Sequence, residues 1–159
     1  MKAPDPRLPP AEELQRLDRQ LCFPLYAASR LVTRLYQPML DPLGLTYPQY
    51  IVLMILWEDA PCPVSHIGKR ALLNTNTLTP LLKRLEQLGY VQRQRSKADE
   101  RIVEISLTDT GRALKQQCAC IPAELVQMLG MPLEKLGALK ALVDELVGHL
   151  QQAEEGLRD

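Results

Sequence analysis

The sequence predicts a mainly α-helical fold with one small β-hairpin. Apolar residues recur at three- and four-residue steps over residues 14–35 and again over 133–150, which is the period of amphipathic helices. Between these segments, residues 90–94 and 102–107 alternate apolar and polar side chains, as strands do, around a charged stretch. Two long helical segments therefore flank a compact centre that ends in a hairpin.

The N-terminal part divides into a tail and a helical segment. Residues 1–10 contain four prolines and are predicted to form a flexible tail. Helical periodicity begins near Ala11, and Pro24 either kinks one long helix or separates a short helix from a second one. Pro38 and Pro42 bracket the end of this segment.

The central part begins with an apolar helix. Thr46 is suited to cap it, and Pro48 lies in its first turn. Because this helix is apolar nearly all round, we expect it at the centre of the core. It ends before Pro61 and Pro63, after which Ser65 is expected to cap a short helix.

The helix after that one contains a proline and ends at Gly89. Pro80 deep inside a helix would remove a hydrogen bond, so we expect it near the start. Asn74, Asn76 and Thr77 could each cap this helix. The position of Pro80 favours Asn76 or Thr77 as the cap, or a bend after Asn74.

Beyond the hairpin the chain returns to helix. Thr108 or Asp109 is expected to cap a helix that runs to about Cys120. Pro122 bends or divides that helix, and an amphipathic helix over 133–152 completes the chain.

Composition and charge narrow the class of protein. The 159 residues carry 19 basic and 19 acidic side chains. The window 65–101, however, holds eight basic and three acidic residues, a net charge of +5, which leaves −5 for the remainder. Such a block is typical of a site for a polyanion, although charge alone fits a solvated face equally well.

The sequence lacks the patterns that are typical of membrane-bound, secreted and metal-binding proteins. No apolar run approaches the length of a membrane span, and the N-terminus does not resemble a signal peptide, so we expect a cytoplasmic protein that does not bind membranes. The four cysteines form neither a disulfide framework nor a zinc-ligand pattern, and we predict no metal and no cofactor.

The layout also predicts how the chain is organised. We expect a tail over 1–10, an N-terminal dimerisation region over 11–45, a DNA-binding region over 46–110 and C-terminal dimerisation helices over 111–159. A chain of this size has little core left for both terminal segments, so their apolar faces should meet a second copy in a two-fold homodimer. The alternative is that these faces pack on the centre of their own chain.

The order of the central elements indicates a winged helix-turn-helix, whose partner would be double-stranded DNA. In that fold the second helix enters the major groove with its N-terminal side chains on base edges. The residues expected there are polar and short, and some also suit N-capping: Asn74, Thr75, Asn76, Thr77 and Thr79. Lys83 and Arg84 are better placed for phosphates.

The hairpin would supply a second set of DNA contacts. Its polar residues are Arg93, Arg95, Lys97, Asp99 and Arg101. Asp99 and Arg101 are two apart and share one side of an extended segment, where the carboxylate can orient the guanidinium. An arginine held in this way can enter a narrow, A·T-rich minor groove. His66, beside the helix-turn-helix, either touches a phosphate or is an ordinary surface residue.

Three motifs resemble the multiple antibiotic resistance regulator (MarR) family. They are LTPLLKRLEQLGYV over residues 78–91, Asp99-Glu-Arg101, and Leu107-Thr-x-x-Gly111. The resemblance covers nearly the whole chain after residue 10. It implies a two-fold dimer built from the terminal helices that binds palindromic operators.

Further segments narrow the resemblance to the organic hydroperoxide resistance regulators. They are LCFPLY over 21–26, Tyr36, TYPQY over 46–50 and LWE over 56–58. The resemblance implies that Cys22 is the redox sensor and that Tyr36 and Tyr47 hydrogen-bond to it from the partner subunit. It also implies an organic hydroperoxide as the inducer that releases the repressor from its operator.

The chemistry of such a sensor needs a thiolate and a second thiol. Phenol hydroxyls that donate to sulfur favour the reactive thiolate, and a sulfenic acid can be trapped as a disulfide. Relatives with two reactive cysteines carry the second at a place that falls on Gln127 here. This chain has Cys118 and Cys120 upstream instead, so Cys120, Cys118 or a small cellular thiol would complete the disulfide, with Cys62 a bystander.

Two other functions fit parts of the sequence. One is a regulator of the same fold that a small phenolic ligand releases from DNA. The other is a thiol-dependent peroxidase, which the sequence disfavours because Cys22 has no accompanying Arg/Thr motif for turnover. We therefore expect a regulator and not an enzyme.

Overall fold

The computed structural model describes residues 9–96 and 99–157, and within them it contains eight α-helices and three strands. The helices are α1 Ala11–Leu14, α2 Cys22–Leu40, α3 Tyr47–Asp59, α4 Val64–Ala71, α5 Thr75–Gln87, α6 Asp109–Gln117, α7 Ile121–Leu129 and α8 Leu133–Glu155. The strands are β1 Cys62–Pro63, β2 Val91–Arg95 and β3 Val103–Leu107. The predicted fold class is confirmed, while most of the proposed N-terminal tail lies outside the described residues.

The chain forms two compact units. The first extends to Gln117 and contains α1 to α6 with the sheet, and the second begins at Cys118 and contains α7 and α8. In the described part of the chain, no single helix is long and apolar enough to cross a membrane. The pair of α2 and α3 together has that length and composition, but the two helices are bent by 74° relative to each other.

The N-terminal helical segment is divided, which confirms the second of the two alternatives for it. The α1 helix ends at Leu14, a short 3-10 turn covers Leu17–Arg19, and α2 begins at Cys22. Pro24 is the third residue of α2, where a helix has no internal partner for an amide, so the proline costs no hydrogen bond. Pro38 lies inside α2 close to its end.

The α3 helix is the centre of the core, as predicted. Thr46 caps it through a capping box, in which the Thr46 amide donates to Oε1 of Gln49 at 2.9 Å. Its buried residues cover an arc of about 220° around the helix, at 100° per residue. They are Gln49, Tyr50, Val52, Leu53, Ile55 and Leu56. The other elements of the first unit can therefore pack around it.

The hairpin extends into a three-stranded antiparallel sheet of order β1-β3-β2. The β2 and β3 strands pair from Val91 opposite Leu107 to Arg95 opposite Val103. The sequence did not predict β1, because a strand of two residues is too short to show alternation. Pairing holds Pro63 extended directly before α4, so α4 begins at Val64 and the prediction that Ser65 caps it was wrong.

The preference for Asn76 or Thr77 over Asn74 as the cap of α5 was also wrong. Asn74 is the cap, and its Oδ1 accepts the Thr77 amide at 2.9 Å. Pro80 is therefore the sixth residue of the helix. The carbonyl that loses its partner belongs to Asn76, which is exposed and accessible to water, so the proline is tolerated there. Gly89 has a φ of +76° and ends this segment as predicted.

The junction from the sheet to α6 depends on Thr108. Its Oγ1 accepts the Gly111 amide at 2.9 Å and donates to the Gly89 carbonyl at 2.6 Å, so Thr108 is the cap. The α6 helix ends at Gln117, three residues before the predicted end. Pro122 lies in the first turn of α7 and divides the two helices, as one of the two alternatives expected.

Candidate nucleic-acid interface and sensor cysteine

The α4 and α5 helices form the helix-turn-helix. Leu72, with a φ of 54°, turns the chain after α4, and the Leu73 amide donates to the Gly68 carbonyl at 2.9 Å. A Cβ on Gly68 would lie 2.9 Å from the Leu73 carbonyl oxygen, so a larger residue would open the turn. Ile67 of α4 and Leu78 of α5 are both fully buried, which anchors the two helices to the core.

The five residues predicted to contact bases lie together at the N-terminal end of α5, and all are exposed. Their side chains are not equally available. The Asn74 side chain is the helix cap, and Oγ1 of Thr79 donates to the Thr75 carbonyl at 2.7 Å. No hydrogen-bond partner exists for the side chain of Asn76 within residues 9–96 and 99–157.

The basic residues expected to contact phosphates lie on α5 and on the hairpin. Lys83 and Arg84 are exposed on the second half of α5, and Arg95 is exposed at the end of β2. Arg93 is only half-exposed, and it lies in the middle of the edge strand β2, opposite Ile105 of the central strand β3. Lys97 lies outside the described residues.

The Asp99–Arg101 pair is present, but in a turn and not in an extended segment as predicted. The Ile102 amide donates to the Asp99 carbonyl at 2.9 Å, and the Arg101 amide donates to Oδ1 of Asp99 at 3.0 Å. The guanidinium Nε then lies 3.7 Å from the same carboxylate oxygen, and the Arg101 side chain is 94% exposed. An aspartate that bonds the backbone two residues on is common in turns, and here it also holds the arginine.

An ion cluster that the sequence did not predict joins α3 to α4. Asp59 Oδ2 lies 2.6 Å from Nε2 of His66 and 2.7 Å from Nη1 of Arg70, and Arg70 also donates to Glu58 at 2.8 Å. The bond from His66, followed by that from Arg70, lowers the pKa of the Asp59 carboxyl. His66 is thus held in this cluster. The carboxylate that bonds to His66 lies on another helix, so no local sequence pattern could reveal this contact.

Cys22 is the first residue of α2 and is exposed. It lies in an open pocket of about 420 Å³. The pocket is formed by the segment before α2 and by the first turns of α2, and its lining residues are Gln15, Leu17, Gln20, Cys22, Phe23 and Tyr26. The Gln20 side chain donates to the Leu14 carbonyl and holds this segment in place. The walls offer apolar side chains beside a reachable sulfur.

Tyr36 and Tyr47 lie against each other and not against Cys22 of their own chain. Their rings stack with centroids 4.4 Å apart and an interplanar angle of 28°. Burial raises the pKa of both phenols, and Tyr47 raises that of Tyr36 further. Tyr36 follows Cys22 by 14 residues on α2, which separates them by about 21 Å along the helix. The pair therefore does not contact the Cys22 of its own chain.

The three other cysteines are poor sources of thiolate. Burial raises the pKa of Cys62 and of Cys118. Cys120 is exposed, but a hydrogen bond with Glu124 raises the pKa of its thiol.

The terminal helices leave much apolar surface uncovered. No residue of α8 is buried. The exposed large apolar residues of α8 are Leu133, Leu139, Leu142, Val143 and Leu150, and those in and before α2 include Leu17, Leu21, Phe23, Tyr26 and Leu31. Packing within the chain thus leaves both surfaces unpartnered.

A second pocket, of about 280 Å³, lies where the end of α3 meets β3 and α6. Trp57 lines it and donates from Nε1 to the Gly111 carbonyl at 2.9 Å. Arg112 and Lys115 lie at its edge, and none of its lining residues is acidic. Such a pocket offers apolar walls beside positive charge.

Comparison with known proteins shows extensive similarity to transcriptional regulators. The model of the transcriptional regulator SarA/Rot family matches residues 34–118. The chain is 44% identical to the organic hydroperoxide resistance transcriptional regulator of Bacillus subtilis (strain 168), over 86% of this chain and 93% of that protein. It is 48% identical to the HTH-type transcriptional regulator TtmR of Methylorubrum extorquens (strain PA1), over 85% of this chain and 68% of that one.

The same similarity extends to solved structures. The structure of reduced AbfR bound to DNA, a protein of Staphylococcus epidermidis, matches with a TM-score of 0.71 and 39% identity. The match covers 87% of this chain and 97% of that one.

Proposed function

Because the chain belongs to the MarR family of transcriptional regulators, in its organic hydroperoxide resistance branch, we propose that it is a redox-sensing repressor. The reduced homodimer binds a palindromic DNA operator, and oxidation of Cys22 by an organic hydroperoxide releases it. It acts in the cytoplasm, where operator DNA is accessible to it. The observation that carries this proposal is the exposed Cys22 sulfur in a pocket with apolar walls.

The two uncovered apolar surfaces support the proposed homodimer. Burying surfaces of this kind against a second copy is favourable at roughly 25 cal/mol per Å². We assign dimerisation to residues 11–45 and 111–159 and DNA binding to residues 46–110. A dimer in which the α2 helices run antiparallel would bring Cys22 of one chain to Tyr36 and Tyr47 of the other.

The sensing chemistry needs only the peroxide and thiols. The Cys22 thiolate attacks one peroxide oxygen, a sulfur–oxygen bond forms, the oxygen–oxygen bond breaks, and the alkoxide leaves as an alcohol after taking a proton. The two phenols donate hydrogen bonds to sulfur, which favours the thiolate. Their raised pKa values keep both protonated, and therefore able to donate, at neutral pH.

A small cellular thiol is the best candidate to complete the reaction. It would attack the sulfenic acid at Cys22, form a mixed disulfide and release water. Cys118 is buried, and the exposed Cys120 is held as a thiol by its bond with Glu124. Both are therefore disfavoured as the second thiol, since the thiolate is the attacking form.

Oxidation is coupled to DNA binding through the dimer. Cys22 lies in the helix that we assign to dimerisation, and the dimer sets the spacing of the two α5 helices. Two half-sites about 34 Å apart demand one spacing of those helices. A bulky group on Cys22 would change the packing of α2 and move the α5 helices away from that spacing.

A gel shift tests the proposal directly. The reduced full-length chain should retard a palindromic A·T-rich duplex, lose it on treatment with cumene hydroperoxide, and regain it with dithiothreitol. Cys22→Ser should bind and resist release, while the matched Cys62→Ser should behave as wild type. Release of the Cys22→Ser protein by peroxide would disprove the role of Cys22.

A second candidate function, release by a small phenolic ligand, is favoured by the pocket beside Trp57. Arg112 and Lys115 could hold a phenolate or carboxylate there. Trp57 is the only tryptophan in the sequence, so its fluorescence would report binding of 4-hydroxybenzoate under reducing conditions. Quenching together with operator release would support this candidate.

We do not propose the alternative function of a thiol-dependent peroxidase for this protein. The relatives named above are regulators of transcription and not enzymes, and we infer that Cys22 consumes peroxide stoichiometrically.

A further inference from the structure

We infer that Asn76 sets the base preference of α5, through paired hydrogen bonds to one adenine in each half of the operator. The inference deepens the proposed function and depends on it, since it requires α5 to lie in the major groove. The five polar residues at the start of α5 are all exposed. Other properties must therefore distinguish the residue that recognises bases.

Position around the helix is the first property. Leu78, Leu82 and Leu85 are fully buried and define the inner face of α5. At 100° per residue, Asn76 lies about 160° from Leu78, which is nearly opposite the core. Thr77 and Thr79 lie about 100° from Leu78, and Thr75 about 60°. Asn76 is thus the polar residue that projects furthest from the protein at this end of the helix.

Availability of the side chain is the second property. Asn74 is the other residue that could form two hydrogen bonds to adenine, but its Oδ1 accepts the Thr77 amide at 2.9 Å. The hydroxyl of Thr79 is bonded to the Thr75 carbonyl at 2.7 Å. The Asn76 amide has no such bond in the part of the chain that the structure describes. Its oxygen and nitrogen are both free for a base.

The residues that share the outward face with Asn76 are poorly suited to forming paired hydrogen bonds with a base. Pro80, Lys83 and Gln87 follow on the same outward face at helical spacing. Pro80 has no polar side-chain atom, so it can only contact an apolar group such as a thymine methyl. Lys83 suits phosphate, which carries no sequence information.

The chemistry of the amide then specifies the base. An asparagine side chain has one acceptor and one donor group side by side, which match N6 and N7 of adenine in the major groove. A paired contact of this kind discriminates against the wrong base by about 5- to 150-fold. Aspartate in its place would only accept, which suits N4 of cytosine.

Selection from a randomised palindromic duplex library tests this with the reduced full-length chain. Wild type should select adenine at one symmetric pair of positions, and Asn76→Asp should shift that pair toward cytosine. Asn74→Asp adds the same charge two residues away and keeps the cap, since aspartate caps as well as asparagine, so it should retain adenine. Circular dichroism of each variant establishes that α5 is intact.

A base analogue tests whether Asn76 contacts N7 of the selected adenine. Replacing the selected adenine with 7-deazaadenine deletes the N7 acceptor and should weaken wild-type binding by about 5-fold or more. Asn76→Ala should bind both duplexes equally. Identical selected sequences for wild type and Asn76→Asp, or a shift caused by Asn74→Asp alone, would overturn the inference while leaving the repressor function standing. Failure of the wild type to select any sequence would instead overturn both.

Discussion

The rings of Tyr36 and Tyr47 stack with their centroids 4.4 Å apart. Tyr36 lies about 21 Å along α2 from the Cys22 of its own chain. If both phenols donate to the Cys22 sulfur, as we propose, then one chain must supply the sulfur and another the phenols. The proposed role of these three residues therefore depends on the proposed homodimer.

Removing a phenol hydroxyl should slow the oxidation of Cys22. We expect Tyr36→Phe and Tyr47→Phe each to reduce the rate constant with cumene hydroperoxide by roughly 10-fold or more, because a hydrogen bond to the thiolate is lost. Stopped-flow measurement under pseudo-first-order conditions gives this rate. Tyr90→Phe, which loses a bond to the Leu43 carbonyl, is the control, and an equal decrease there would refute the assignment.

Dimerisation should depend on the apolar face of α8. Leu142, whose side chain is exposed within the chain, should not tolerate a charge if it lies in the dimer interface. We expect Leu142→Glu to shift sedimentation toward the monomer and to weaken operator binding. Gln151→Glu adds the same charge to the same helix at an exposed position, and dissociation of both variants alike would argue against an interface at Leu142.

The turn in the wing should matter for DNA affinity. Arg101→Ala is expected to weaken operator binding by about 1–3 kcal/mol. Asp99→Ala should weaken it less, because it frees the guanidinium without removing it. Fluorescence anisotropy at several salt concentrations measures both, with Lys135→Ala on α8 as the control. Unchanged affinity for Arg101→Ala would exclude the wing from the interface.

Gly111 is the position where a side chain should be least tolerated. A Cβ there would lie 1.9 Å from the Tyr90 carbonyl oxygen, so either the start of α6 or the turn before β2 must move. We expect Gly111→Ala to lower the free energy of unfolding by about 3 kcal/mol or more in urea. Gly137→Ala meets nothing within 4 Å and should stabilise α8 by at most about 1 kcal/mol. Equal stability of the two variants would contradict this packing.

The Asp59 cluster should make stability depend on pH. Hydrogen bonds from His66 and Arg70 lower the pKa of the Asp59 carboxyl. A carboxyl with a depressed pKa contributes stability above its unfolded value of about 4, and that contribution disappears as the pH falls through the folded value. We expect Asp59→Asn to lower the urea midpoint at neutral pH.

The difference between Asp59→Asn and wild type should then shrink below about pH 4. Glu100→Gln, an exposed carboxylate in the wing turn, should show no such dependence. A difference that stays constant with pH would indicate that Asp59 acts by packing and not by charge.

Several elements of the fold and of the candidate DNA-binding surface were predictable, because the sequence signals that specify them are local. The caps Thr46 and Thr108 follow from side chains that bond amides a few residues on. The hairpin follows from its alternation, and the polar start of α5 from its composition. Asn74 was one of three candidate caps for α5 but was not the favoured one, because the rule against a proline inside a helix outweighed it. That rule weakens where the orphaned carbonyl, here that of Asn76, faces water.

The sequence by itself determined the helical segments near both termini and the winged helix-turn-helix, since each is written in a short period or motif. Its resemblance to a known family singled out the cysteine and tyrosines of the proposed sensor. Only the tertiary structure decided that Asn74 caps α5 while Asn76 stays free, that Asp59 links α3 to α4, and that Tyr36 stacks on Tyr47 far from its own Cys22. Each of these depends on distances between residues of different elements, or on which of two similar side chains captures a backbone amide. Packing sets the distances between different elements, and no spacing along the chain encodes those distances.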